Sequence, residues 1–122
     1  MLEERKKAAS CGSDSNREGV IEQDITIPSS DGYAVPVRVY SPKQVLPYGS
    51  PLVIMFHGGA WCLGGIESEE LNCRRLTERL RCVCLNVDYR LAPEHPYPAA
   101  VNDCWAVTQW VSFISGGKGN EC

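Results

Sequence analysis

The residues best placed to do chemistry in this 122-residue chain stand together in Phe56-His57-Gly58-Gly59-Ala60-Trp61-Cys62-Leu63-Gly64-Gly65, directly after the apolar run LVIMF. Glycine loses more conformational freedom on folding than any other residue. A glycine cluster at the end of a strand therefore marks either a flexible turn or a place where backbone amides approach something closely. The chemistry that needs such amides is acyl transfer. Its tetrahedral intermediate carries an oxyanion, and each preorganised N–H donor aimed at that oxygen is worth roughly 2.7 to 4 kcal/mol of barrier.

A second group of candidates is Asp88, Tyr89, Arg90 and Glu94 in DYRLAPEHPYP, followed by Asp103. An arginine beside two carboxylates in a proline-rich segment reads as a polar network rather than an acid–base pair. Asp103, one turn into the next predicted helix, caps or braces that segment. Trp61 either lines a pocket beside the glycine loop or belongs to the core. The ten serines include none with glycine two positions before and two after, and Ser115 in FISGG comes nearest.

The elements that must position these residues follow from periodicity. Alternation predicts strands over Ile21 to Ile27 and over Tyr33 to Tyr40, joined by PSSDG as an antiparallel hairpin, with Pro36 on an edge or at an irregularity. Leu52 to Phe56 is apolar at every position, as in a core strand covered on both faces. Glu67 to Arg81 predicts a helix with Leu71, Leu76 and Leu80 near one face. Cys82 to Val87 predicts a second buried strand, so strand, helix and strand form a parallel crossover. Ala99 to Ser115 predicts a second helix with Val101, Trp105 and the Thr108 to Val111 region in register.

The two motifs HGGAW and DYRLAPEHPYPAAVNDCWA, in this order and separated by a helix and a strand, resemble the hormone-sensitive-lipase-like branch of the α/β-hydrolases, a family of carboxylesterases and lipases. The resemblance runs from about Ile21 to Trp110. It implies an α/β fold containing part of the hydrolase sheet, with the N-terminal hairpin followed by parallel strands and crossover helices, and truncated before the nucleophile elbow. Residues 1–20 are then a polar arm, 21–115 the N-terminal portion of the domain and 116–122 a loop-like tail. The resemblance also implies an oxyanion hole from Gly58, Gly59 and Ala60, in which Gly59 and Ala60 donate and Gly58 supports the turn. The donor at Ala60, where the family has glycine, survives if φ there is negative. His57 becomes a brace for the loop rather than the base, because the base of this fold follows its nucleophile, and His95 fails as a base for the same reason. The implied reaction is hydrolysis of small carboxylic esters through a serine acyl-enzyme, without cofactor or metal. With none of the Ser-Asp-His triad present, the expectation for this chain alone is no turnover. The alternative is a non-catalytic fragment, ligand-binding or interaction module on the same fold.

Bulk properties exclude other classes. A formal charge of −3 offers no basic footprint for nucleic acid. The opening MLEERKKAAS is charged where a secretory leader needs an apolar core, and no window approaches a membrane span, so a cytoplasmic location is expected. Seven cysteines without a C-x-x-C pair read as reduced packing residues. An apolar strand left at a sheet edge would favour self-association.

Overall fold

Period-two patterning builds the hairpin. In the computed structural model, which describes residues 19–44 and 46–116, β1 (Val20–Pro28) and β2 (Ala34–Pro42) pair antiparallel from Val20↔Pro42 to Pro28↔Ala34. The rest of the expected polar arm and of the expected tail, 1–18 and 117–122, lies outside the described residues. Val20 already belongs to β1, and Gly116 to the last helix.

β3 (Leu52–Phe56) and β4 (Val83–Val87) pair in parallel, with Leu52 opposite Val83 and Phe56 opposite Val87, while β2 pairs antiparallel with β4. The sheet order is β1-β2-β4-β3. The burial pattern corrects the expectation that β3 is covered on both faces, since Leu52 and Phe56 are each 40% exposed, and β4, flanked by β2 and β3, is the buried central strand. β3 has a single strand neighbour among the described residues, the open apolar edge that the sequence reading expects. Pro36 lies inside the sheet, on β2. Its carbonyl accepts from Asp88 N–H at 2.9 Å, one residue beyond the last β2–β4 pair, Val37↔Val87. A strand residue's N and C=O point to the same edge, so the donor that proline lacks falls where the ladder has already ended.

α1 (Glu70–Leu80) covers one face of the sheet and α2 (Ala99–Gly116) the other. Under α2 and its Val107 lie Ile27, Val35, Val37, Leu85, Val87 and Leu91, and under α1 and its Cys73 lie Val20, Tyr40, Cys82 and Cys84. Each fully buried aliphatic side chain contributes about 1.5–3 kcal/mol. The cysteines thus pack as small hydrophobes, and Cys62, Cys73, Cys82, Cys84 and Cys104 are all free thiols.

Both helices differ from their predicted faces, and buried charge explains why. In α1, Leu71 and Leu80 are exposed while Cys73, Arg74 and Thr77 are buried. Arg74 reaches the interior because Glu22 of β1 and Glu70 one turn earlier take its guanidinium at 2.7 and 2.6 Å. A 3-10 turn (Ile66–Glu69) precedes the α-helix proper. In α2, the buried positions are Ala100, Asp103 and Val107, and Trp105 is 60% exposed. Asp103 turns inward to meet Arg90, so the Val101–Trp105 stripe turns away from the sheet.

Candidate functional site

The loop after β3 is shaped by two glycines. At Gly59 φ is +129°, and a Cβ there would stand 2.2 Å from the Leu63 carbonyl oxygen. The chain reverses at this point, so the N–H groups of Cys62 and Leu63 return to the Gly59 carbonyl at 3.1 and 2.9 Å. At Gly64 φ is +89°, and a Cβ would meet His57 Nδ1 at 2.7 Å and the Gly58 carbonyl at 2.8 Å. Gly58, by contrast, has open space around it. Gly59→Ala is therefore expected to destabilise the fold by about 2 kcal/mol or more, through strain and overlap, and Gly58→Ala by less than about 0.5 kcal/mol. Urea titration of the two variants checks the contrast, and equal midpoints would refute this loop geometry.

Ala60 and Trp61 continue in the left-handed region at φ +53° and +62°. The condition of a negative φ at Ala60 is thus not met: after the reversal at Gly59, both residues keep the tight turn that carries Cys62 and Leu63 back. The Ala60 N–H is retained. Among the described residues, the amides of Gly58, Gly59 and Ala60 donate to no protein group.

His57 is 3% exposed and packs against the same turn. Its Nδ1 lies 2.7 Å from the Gly58 carbonyl. A carbonyl oxygen only accepts, so Nδ1 carries a proton. Nε2 is buried without a partner among the described residues. The Tyr89 ring stacks on the imidazole, with centroids 4.3 Å apart and planes 10° from parallel, and its hydroxyl donates to the His57 carbonyl. Burial pushes the Tyr89 hydroxyl up to about 12, so it remains a donor through the physiological range.

The DYRLAPE segment is held from two directions. Asp103, fully buried, accepts from the Arg90 backbone N–H at 2.9 Å and from its guanidinium at 2.7 Å. Asp31, in the β1–β2 turn, takes the other side of the guanidinium at 2.9 and 3.1 Å, and Tyr33 lies under it, 4.2 Å from ring centroid to Cζ. These contacts hold Arg90 well above its usual range and Asp31 below the usual carboxylate range. The sequence-local expectation placed Asp88 and Glu94 around Arg90. The carboxylates that hold it are instead Asp103 and Asp31, brought together by the fold from 13 and 59 residues away. Asp88 is half-buried and bonds Pro36 through its backbone, and Glu94 is exposed. His95 is exposed near Tyr33, with ring centroids 6.1 Å apart.

A cavity of about 480 Å³ opens over this loop. Its floor is Phe56 to Trp61 with Tyr89, and its wall is the outward stripe of α2, namely Val101, Cys104, Trp105 and Thr108. Trp61 is 64% exposed and stands at the rim, which resolves its placement toward the cavity. Burial pushes the Cys104 thiol up to about 11, so it presents a neutral S–H. Sequence reasoning missed Trp105 as a wall residue, Asp31 as a partner of Arg90, and Gly64. The second Gly-Gly pair was the available signal for the last of these. Among the described residues, no group of three or more His, Cys, Asp or Glu gathers as a metal would require. No helix among them is long and apolar enough to cross a membrane.

A family profile described as the alpha/beta hydrolase fold matches residues 53–116. The chain belongs to the α/β-hydrolase fold family. Its relatives place it in the hormone-sensitive-lipase-like branch. It is 46% identical over 87 residues to carboxylesterase NlhH of Mycobacterium tuberculosis, an alignment spanning 71% of this chain and 27% of that protein. To an arylesterase of Saccharolobus solfataricus it is 43% identical over 97 residues, spanning 80% and 31%. Among solved structures, a bacterial heroin esterase superposes with a TM-score of 0.78 at 31% identity, covering 89% of this chain and 34% of that one. The chain thus spans about a quarter to a third of the length of these relatives. Its four-stranded mixed sheet with two helices is a partial α/β-hydrolase fold.

Proposed function

We propose that this chain carries the oxyanion-stabilising part of a carboxylic-ester hydrolase site, with the amides of Gly59 and Ala60 as donors and Gly58 and His57 supporting them. The observation that carries the reading is the set of backbone N–H groups left without an acceptor among the described residues at the carboxyl end of β3, on a loop opening into the cavity. Donors held in place before reaction require no reorganisation as charge develops on the substrate oxygen. The cavity lining, with Trp61 at the rim and Val101 and Trp105 in the wall, suits an uncharged ester. Its relatives' names, carboxylesterase and arylesterase, support the same reaction class.

No G-x-S-x-G stands in these 122 residues, and the triad is absent from them. The chain alone is therefore expected to show no serine-dependent turnover of p-nitrophenyl acetate and no labelling by a fluorophosphonate. Turnover abolished by a label on this chain would overturn that. The donor role is tested in an extended version that contains a G-x-S-x-G segment. The positive φ at Gly59 and Ala60 rules proline out as a neutral probe, so the N–H of Ala60 is removed by replacing the amide with an ester. A fall in kcat of about 100-fold or more is expected, and unchanged kcat in the folded variant would sink the assignment.

A further inference from the structure

We propose that Tyr89 is a positioning residue for the glycine loop, fixing the His57–Gly58 backbone and thereby the direction in which the Gly59 and Ala60 amides point. The inference rests on the oxyanion reading of those amides. β3 and β4 are parallel and end together at Phe56 opposite Val87, so the His57 carbonyl lies just past the ladder, where no strand neighbour reaches it. Tyr89, two residues beyond Val87, supplies the missing donor through its side chain. Its ring at the same time covers the imidazole face, and its hydroxyl lies 3.4 Å from Nδ1, the atom bonded to the Gly58 carbonyl.

Tyr89 is itself held in place. It is 5% exposed, and the next residue is Arg90, which Asp103 and Asp31 fix from α2 and from the hairpin turn. Contacts therefore run without a gap from the hairpin turn through Arg90 and Tyr89 to His57 and the loop. Gly64 closes the arrangement, because any side chain there would strike Nδ1. The DYR motif and the HGGA motif, 32 residues apart between Tyr89 and His57, act as one unit through this pair of rings.

The test uses the whole 122-residue chain with Tyr89→Phe, which keeps the stacking ring and removes only the hydroxyl. Hydrogen exchange is followed at Cys62 and Leu63, whose amides bond the Gly59 carbonyl, and at Ala92, whose amide bonds the Trp61 carbonyl. The His57 ring is followed by its 15N signals. Exchange at these three amides is expected to rise at least about ten-fold relative to those of β4, as loss of one buried hydrogen bond implies. The ring signal is expected to move from the Nδ1-protonated form toward a mixture of tautomers. Tyr40→Phe, the same change at a fully buried tyrosine under α1, should leave both readouts unmoved. Gly64→Ala presses on the imidazole from the loop side and should reproduce the Tyr89→Phe signature, deciding the matter if Tyr89→Phe does not fold. An unmoved loop and ring signal would overturn the proposal, as would acceleration of loop and β4 together. None of these readouts involves ester chemistry, so the kinetic test of Ala60 succeeds or fails independently.

Discussion

Asp103→Ala is expected to cost about 3–5 kcal/mol, which is most or all of the stability of a domain of this size. Asp103 is fully buried, and its carboxylate receives three groups of Arg90: the backbone N–H, Nε and Nη2. Removing it leaves a guanidinium, itself only 9% exposed, with a single, half-exposed partner in Asp31. Asp31→Ala removes the solvent-side partner instead, and its effect should be much the smaller of the two. Equilibrium urea unfolding of both variants measures the contrast, and losses of equal size would refute the ranking. Acid has a smaller effect of the same kind. Asp31 and Asp24 are held below the usual carboxylate range by hydrogen bonds from Arg90 and Arg38, so their contribution is present above about pH 4 and is lost as pH falls through their lowered values.

The Asp103 result also bears on the cavity. Cys104 and Trp105, next in sequence, form its wall, and Tyr89, next to Arg90, forms its floor. One buried ion pair therefore ties wall to floor, beside the core packing of Ala100 and Val107. A variant that loosened the pair without unfolding the chain would open the cavity before it disturbed the sheet.

What could be read from the residues alone follows the same division between periodic and non-local causes. All four strands lie within two residues of their predicted bounds, with Leu52–Phe56 matching at both ends, because alternation and apolar runs are local signals. The helices are also placed correctly, but the faces of both are wrong in part. Hydrophobic periodicity cannot know that Arg74 is buried against Glu22, 52 residues earlier, or that Asp103 turns inward to Arg90. A charged residue with a distant partner competes for the buried face and rotates the assignment. The glycine loop was legible as a place needing close backbone approach. Which glycines are required was not, because Gly59 and Gly64 are constrained by Leu63 and His57 while Gly58 is free. The Tyr89–His57 stack was illegible for the same reason, since only the parallel register of β3 and β4 brings those rings together.

That register also produces the second large effect, concentration-dependent association of this chain through β3. A strand at a sheet edge offers a row of N–H and C=O groups to any second strand, and edges are ordinarily protected by charge, proline, a bulge or a covering segment. β3 is LVIMF, without a charge or a proline, and runs straight through five paired positions with β4. Beside it lies further exposed apolar surface: Phe56 at 40%, Trp61 at 64%, Val101 at 46% and Trp105 at 60%. Two copies meeting antiparallel about a two-fold would set Ile54 against its counterpart and each Leu52 against the other's Phe56, on the face that already carries Trp105. Light scattering across a concentration series should show mass rising above 13.5 kDa, with binding of an apolar-surface dye. Leu52→Lys puts a charge at an exposed edge position and should weaken the association about ten-fold or more, while barely changing the unfolding midpoint. A cooperatively unfolding monomer at about 100 μM, with no dye binding, would defeat this expectation, because it requires that the edge be covered within one chain. Leu52→Lys would then lower the stability of the monomer instead of its tendency to associate.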